Sequence, residues 1–228
     1  MHLLAVETSG ARGGIALVED GRPADEVLLA EGLRHARDLV VAIAAACDRA
    51  GWDRRSLGVV AVSIGPGSFT GVRIAVTLAK MMAWDTGARV VTVPSLRAMA
   101  DNAPADRGRI VCIRDAKRGG LFASVFERTA GGLTETFGPA LIEPADLARR
   151  VARPACVLGR GVAKAREALE GFDIAPEPLW DIRPAAVGRL GWQAHARGEY
   201  ADPLRLEPVY IRPPEAQEIW ERRERGKA

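Results

Sequence analysis

The chain has 228 residues, of which 48% are hydrophobic and 27% are charged, with 32 Lys and Arg against 29 Asp and Glu. This balance is typical of an ordinary soluble globule with a sizeable core, and the small net charge of +3 is poor evidence for nucleic-acid binding. No uncharged run reaches the ~18 residues of a membrane helix and no basic leader is present, so we expect a cytoplasmic protein without membrane contact. Three isolated cysteines, Cys47, Cys112 and Cys156, predict buried thiols rather than disulfides or a zinc site.

The first half of the chain alternates short apolar segments with helical patterns. Three strands at 3–7, 14–18 and 24–30, separated by turn residues, predict an antiparallel meander. A helix at 33–50, a strand at 58–64, a helix at 72–85 and a strand at 89–93 follow. The predicted order is therefore β-β-β-α-β-α-β.

The second half repeats this pattern less completely. Strands are predicted at 109–115, 121–127, 133–137 and 155–158, and helices at 95–102, 144–152, 161–169 and 184–197. We therefore predict an α/β fold of two tandem ribonuclease-H-like units, which is the actin-like and sugar-kinase architecture. The first unit would span 1–103 and the smaller second unit 104–228, with the tail from about 205 packing back on the first.

A glycine-rich turn joins the strand at 58–64 to the following helix. It reads Gly65-Pro66-Gly67-Ser68-Phe69-Thr70-Gly71. Glycine permits positive φ and close backbone approach, Pro66 stiffens the turn, and Thr70 is placed to cap the helix. The turn either cradles a phosphate or simply joins strand to helix, and the pattern favours the second. It is not a Walker loop, because no Lys-Ser or Lys-Thr follows the last glycine.

Five segments occur in the order seen in the TsaB (YeaZ) family. They are AVETS at 5–9, LRHAR at 33–37, GPGSFTGVR at 65–73, IRDAKRG at 113–119 and PVYIR at 208–212. On these segments, spread over nearly the whole chain, the sequence resembles TsaB proteins. The resemblance implies a non-catalytic scaffold and dimerisation subunit of the bacterial machinery that places threonylcarbamoyl on the tRNA adenosine 3′ to the anticodon.

The resemblance also implies the partners of the chain. A larger paralogue, TsaD, would carry the chemistry, and a TsaE-like ATPase would join the complex. ATP, Mg²⁺ and metal would then belong to the partner subunits, and no cofactor is expected in this chain. A homodimer is implied when the chain is alone, and contact with tRNA only through the complex.

The positions where related kinases hold a nucleotide are altered here. Glu7 stands where an Asp would hold hydrated Mg²⁺, with Thr8 and Ser9 in the turn. Either the Glu7 carboxylate holds metal or, as favoured, Thr8 and Ser9 hydrogen-bond the turn backbone. Asp115, the corresponding acid of the second half, either faces the cleft or caps its turn.

Gly159 and Gly161 precede a helix where such kinases hold adenine or ribose, although two glycines also make a plain corner. We treat these glycines, with Glu7, Thr8, Ser9 and Asp115, as a vestigial nucleotide site.

A single histidine stands in the first helix, where the catalytic paralogue has two metal-binding histidines at i and i+4. His35 is followed four residues later by Leu39, which cannot complete such a pair. No metal site is therefore expected in this chain.

The two early helices are apolar around most of their circumference, more than one face against a sheet requires. The pattern predicts either burial within this chain or a surface for a matching helix pair of a partner. The resemblance favours the second, because in TsaB-like proteins this pair resembles the surface that docks on TsaD. The predicted interface residues are His35, Leu39, Ile43, Arg73, Val76, Thr77, Lys80, Met81 and Trp84.

Two other functions stay open. An active ATPase or small-molecule kinase of this architecture would require Glu7 and Asp115 to act on Mg-nucleotide. A peptidase is disfavoured, because no nucleophile, base and orienting acid occur in a recognisable setting. The tail from Pro213, with Trp220, is predicted as a charged helix that is either solvated or in contact with a partner or tRNA.

Overall fold

The computed structural model describes residues 1–32 and 35–212, without the side chains of residues 35 and 36. The strands are β1 (His2–Glu7), β2 (Gly14–Glu19), β3 (Arg22–Leu28), β4 (Leu57–Ser63), β5 (Arg89–Val93), β6 (Arg109–Asp115), β7 (Leu121–Thr129), β8 (Gly132–Ile142), β9 (Cys156–Leu158) and β10 (Asp173–Ile174). The α-helices are α1 (His35–Ala50), α2 (Phe69–Thr86), α3 (Ser95–Ala100), α4 (Pro144–Arg150), α5 (Val162–Ala165) and α6 (Pro184–Ala196). The predicted tail helix from Pro213 lies outside the described residues.

The strands form two five-stranded sheets with the same internal order. The first sheet runs β3-β2-β1-β4-β5 and the second runs β8-β7-β6-β9-β10. In each, three antiparallel strands are followed by two parallel ones. The predicted α/β fold with one unit used twice is therefore confirmed.

Alternating side chains bury both faces of the first sheet. On β1, Leu3 and Ala5 belong to the core shared with α3, α6 and the second sheet, whereas Leu4 and Val6 face α1 and α2. All four side chains are buried, because period-two alternation sends successive residues to opposite faces. The helices α1 and α2 are thus left with their outer sides away from the sheet.

Helix α6, from the second half of the chain, packs on the opposite face of the first sheet. Gly188 and Gly191 let it approach closely, since a β-carbon at Gly191 would overlap that of Ala61. The following segment also returns, with Leu206 buried beside α1 and α2 and the amide of Val209 donating to the carbonyl of Ile64 at 2.8 Å. The division of the chain after residue 103 stays a prediction.

Several predicted boundaries differ from the structure. Strand β3 begins at Arg22, two residues early, because Asp20 and Gly21 with positive φ complete the preceding turn. Strand β8 continues through Pro139, which an edge strand with bulges tolerates. Helices α3 and α5 are shorter than predicted and end at Ala100 and Ala165.

The three cysteines are free and buried, as predicted. Burial raises the pKa of each thiol, most strongly that of Cys112, so these thiols stay protonated at neutral pH. Within residues 1–32 and 35–212, no helix combines the length and apolar character needed to cross a membrane.

Candidate functional site

Groups of the turn after β1 donate hydrogen bonds to the carboxylate of Glu7, the last residue of that strand. Glu7 is fully buried, and its Oε1 accepts hydrogen bonds from the Ser9 amide at 2.6 Å, the Ser9 hydroxyl at 2.6 Å and the Gly10 amide at 3.2 Å. The Thr8 hydroxyl donates to the carbonyl oxygen of Gly71 at 2.6 Å. The Ser9 hydroxyl thus bonds the Glu7 side chain and the Thr8 hydroxyl bonds α2, so neither hydroxyl bonds the backbone of its own turn, although that was the favoured prediction. The turn amides bond Glu7 instead.

The glycine-rich turn packs directly against this hairpin. The amide of Ser68 donates to the carbonyl of Ser9 at 2.8 Å, and a β-carbon at Gly71 would overlap the carbonyl oxygen of Thr8. The peptide between Gly65 and Pro66 is cis. The segment therefore serves as a close-packed strand-to-helix corner.

The helix that follows is capped by Ser68, so the predicted cap at Thr70 is wrong. The Ser68 hydroxyl accepts from the amide of Gly71 at 3.2 Å, and α2 begins at Phe69, three residues earlier than predicted. Thr70 lies inside the first turn and is exposed. Both residues suit an N-cap chemically, so sequence alone did not separate them.

Arg114, which the sequence analysis did not select, reaches from the end of β6 to the first unit. Its Nη1 donates to the Ser9 hydroxyl at 2.8 Å and to the Pro66 carbonyl at 3.4 Å, and its Nη2 donates to the Ser9 carbonyl. Burial lowers the pKa of Arg114, and the Glu7 carboxylate acts in the opposite direction. The guanidinium stays charged, because arginine side chains are not deprotonated in proteins.

Asp115 caps its own turn, one of the two roles predicted for it. Its carboxylate accepts from the Lys117 amide at 2.7 Å and pairs with the Lys164 ammonium at 2.9 Å. Burial raises the pKa of Asp115, but hydrogen bonds from Lys164 and Lys117 outweigh it, so the pKa is lowered overall.

Gly159 and Gly161 bring the chain close to the end of β6. A β-carbon at Gly159 would overlap the carbonyl oxygen of Ile113, and the Gly161 amide donates to the same oxygen at 3.2 Å. These contacts account for both glycines as a strand-to-helix corner.

The residues at this cleft do not fit the Mg-nucleotide that a kinase of this architecture holds. One oxygen of Glu7 already accepts three hydrogen bonds, the other is buried, and the cationic Arg114 of β6 hydrogen-bonds Ser9 of the same turn. Asp115 is engaged by two lysines. In the described ranges, 1–32 and 35–212, no three His, Cys, Asp or Glu side chains come together to hold a metal ion.

The outer side of α1 and α2 is the main exposed apolar surface of the first unit. The exposed fraction is 59% for Val40, 66% for Val41, 60% for Met81 and 90% for Trp84. Two grooves of ≈ 660 and ≈ 470 Å³ run along it, lined chiefly by residues of α1 and α2. We call this surface, with its grooves, the α1–α2 face.

The predicted interface residues divide into two groups. Arg73, Thr77, Met81 and Trp84 are exposed on the α1–α2 face, and Lys80 is half-buried there. Leu39, Ile43 and Val76 are instead buried in the core beneath the helices. Leu39 and Ile43 nevertheless line the two grooves of the α1–α2 face, so their place at an interface stays a prediction. Val76 is 4% exposed and packs with residues of the first sheet, so listing it as an interface residue was wrong. His35 begins α1, and its side chain lies outside the described part of the chain.

Other residues of the α1–α2 face were missed by the sequence analysis. Val40 and Val41 are exposed and belong to the same apolar run as the buried Leu39. Arg73 stacks on Phe69 with its guanidinium carbon 3.9 Å from the ring centroid, and its Nε donates to the Tyr210 hydroxyl at 2.7 Å. Helical phase could have found the two valines, but the contact with Tyr210 joins residues 137 positions apart.

Comparisons with known proteins address the family of the chain. A family model described as TsaD: tRNA N6-adenosine threonylcarbamoyltransferase matches residues 32–182. The tRNA threonylcarbamoyladenosine biosynthesis protein TsaB of Bacillus subtilis is 32% identical over 96% of this chain and 98% of its own length. The chain belongs to the TsaB family.

A second relative agrees with this assignment, and a solved structure agrees with the fold. TsaB of Escherichia coli is 27% identical over 58% of both chains. The solved structure of YeaZ from Pseudomonas aeruginosa matches the fold with a TM-score of 0.80, covering 92% of this chain and 99% of that one at 24% identity. The resemblance on the five sequence segments and the predicted actin-like and sugar-kinase fold class are confirmed.

Proposed function

We propose that the chain is a non-catalytic scaffold subunit of tRNA threonylcarbamoyladenosine biosynthesis and acts by docking on a TsaD-like catalytic partner. The exposed α1–α2 face is the observation that carries this proposal. Trp84 and Met81 together leave large apolar side chains in solvent on one helix, which is typical of a partner interface. The family to which the chain belongs supplies the pathway.

The hydrogen bonds and ion pairs of the two candidate metal-binding acids support the non-catalytic part of the proposal. Catalysis on a nucleotide requires an acid free to hold hydrated Mg²⁺ near the phosphates. Glu7 and Asp115 are both engaged by groups of this chain, and the guanidinium of Arg114 would repel a metal ion. An active ATPase or kinase is therefore the disfavoured alternative, and the peptidase has no observation in its favour.

The α1–α2 face also accounts for the expected partners. A TsaD-like chain would bury it in the complex, and a second copy of this chain would bury it in a homodimer when TsaD is absent. A TsaE-like ATPase and tRNA would meet this chain only within the larger complex.

An omission experiment tests the proposal. Purified tRNA, threonylcarbamoyl-adenylate, the cognate TsaD and TsaE subunits and ATP are combined with and without this chain, and modified adenosine is measured. We expect product only when the chain is present, and no ATP turnover by the chain alone. Product that forms equally well without the chain, or nucleotide turnover by the isolated chain, would refute the scaffold function.

A further inference from the structure

We propose that the guanidinium of Arg114 neutralises the buried Glu7 and joins the two units at the positions where a kinase of this architecture would hold a ligand. The proposal concerns this chain by itself, so it stands or falls independently of docking on a partner. It assigns a function to a residue that neither the sequence motifs nor the proposed scaffold role explains.

The hydrogen bonds of Arg114 cross from one unit to the other. Arg114 belongs to β6 of the second sheet, whereas its acceptors, Ser9 and Pro66, lie on two turns of the first unit. Three acceptor atoms on two separate turns fix the planar guanidinium in one position. Arg114 therefore bonds the two turns to the second sheet.

The charge of Glu7 requires a compensating cation. The side chain is fully buried, and its Oε2 has no hydrogen-bond partner among the described residues. An ionised carboxylate in such a place is costly unless it is paired. The Ser9 hydroxyl links the two charges, because it donates to Glu7 Oε1 at 2.6 Å and accepts from Arg114 Nη1 at 2.8 Å.

The adjoining glycine turn leaves room for this arginine. A β-carbon at Gly67 would lie 2.9 Å from Arg114 Nη1, in addition to crowding Ser9. The closest contact of that β-carbon would be the Ser9 carbonyl oxygen at 2.5 Å, so the backbone of Ser9 explains this glycine first and the guanidinium adds to the crowding. The turn contributes a backbone acceptor to Arg114 where a phosphate cradle would contribute donors.

Another arginine between the units is more exposed than Arg114. Arg160 of the second unit pairs with Glu31 of the first unit and with Asp181, and its side chain is 42% exposed. Such exposed pairs contribute little, because solvent screens them. Arg160 therefore serves as a matched control for Arg114.

A double-mutant cycle on the full chain tests the coupling of Arg114 to Glu7 through Ser9. The variants are Arg114→Met, Glu7→Gln and the double variant, with Arg160→Met as control, and urea unfolding gives their stabilities. We expect Arg114→Met to lower the folding equilibrium constant by about 100-fold, because it leaves a buried charge unpaired. The double variant should recover at least about ten-fold of this loss, and Arg160→Met should cost less than about five-fold. Additive losses in the cycle would overturn the proposal.

A ligand titration gives a second readout that does not depend on a folded Arg114→Met variant. The melting temperature of the wild-type chain is followed against Mg²⁺ and ATP, since any ligand of the native state raises it. We expect no change up to millimolar concentrations. A rise that Glu7→Gln abolishes would show a ligand site at Glu7 and would overturn the proposal, while leaving the docking function to its own test.

Discussion

At the scale of single residues, the glycine corner depends on Gly71 for space. A side chain there would overlap the carbonyl oxygen of Thr8, whereas Gly108 has nothing within 4 Å of an added β-carbon. We expect Gly71→Ala to lower the free energy of unfolding by about 3 kcal/mol through overpacking. Gly108→Ala should stay within about 0.5 kcal/mol of the wild type. Urea unfolding of both variants measures this, and equal stabilities would contradict the close packing described here.

The helix cap offers a second prediction at the same scale. Ser68 accepts the Gly71 amide, whereas Thr70 lies within the helix. We expect Ser68→Ala to cost about 1 kcal/mol and Thr70→Ala to cost nothing, since alanine has the higher helix propensity. Thermal unfolding of the two variants distinguishes them, and a larger loss for Thr70→Ala would restore the cap predicted from sequence.

At the scale of elements, α2 buries one side in the core and exposes Trp84 on the other. We expect Trp84→Arg to weaken binding of a TsaD-like partner by at least about 30-fold, because a central aromatic side chain dominates an interface. Stability should hardly change, since the side chain is 90% exposed. Titration calorimetry with the partner measures the affinity, and unfolding of the free chain measures the stability.

A matched control for this variant lies on the second sheet. Leu141 on β8 is also an exposed large apolar residue, but it belongs to an edge strand of the second sheet. Leu141→Arg should leave partner binding unchanged. If both variants weaken binding equally, the loss of affinity is caused by the added positive charge, and the assignment of the interface to α1 and α2 is wrong.

At the scale of the whole molecule, Glu26 joins the first sheet to the start of α6. Its carboxylate pairs with Arg183 and accepts from the Ala185 amide at 3.0 Å. Burial raises the pKa of Glu26, but the hydrogen bonds from Arg183 and Ala185 outweigh it, so the folded pKa lies below its ordinary value of 4.5. The pairing therefore stabilises the fold above that pH and is lost as the pH falls through the folded pKa.

The lowered pKa of Glu26 predicts how the stability of the fold changes with pH. The melting temperature of Glu26→Gln should lie below that of the wild type at neutral pH, and the two should converge as the pH falls below 4.5. Melting curves across this range measure the difference. A difference that stays constant with pH would show that Glu26 acts through its shape and not through its charge.

The sequence predicted the architecture of the molecule better than its site. Strands β5 and β6 occur at the predicted boundaries, because a proline ends the first and apolar alternation marks the second. The hydrogen bonds between Arg114 and Ser9 could not be predicted from the sequence, because the two residues are 105 positions apart and come into contact only in the folded chain. Leu39 and Trp84 could not be sorted into core and surface, because an all-round apolar helix hides which side faces the sheet.

Two variants compared in the reconstituted modification of tRNA separate docking from catalysis. Trp84→Arg changes the exposed aromatic residue proposed to dock on the partner, and Asp115→Asn removes an acid that a nucleotide enzyme would need. The scaffold account predicts that modified adenosine is lost with Trp84→Arg and formed at the wild-type rate with Asp115→Asn. Loss with Asp115→Asn and retention with Trp84→Arg would contradict it and would favour chemistry in this chain's own cleft.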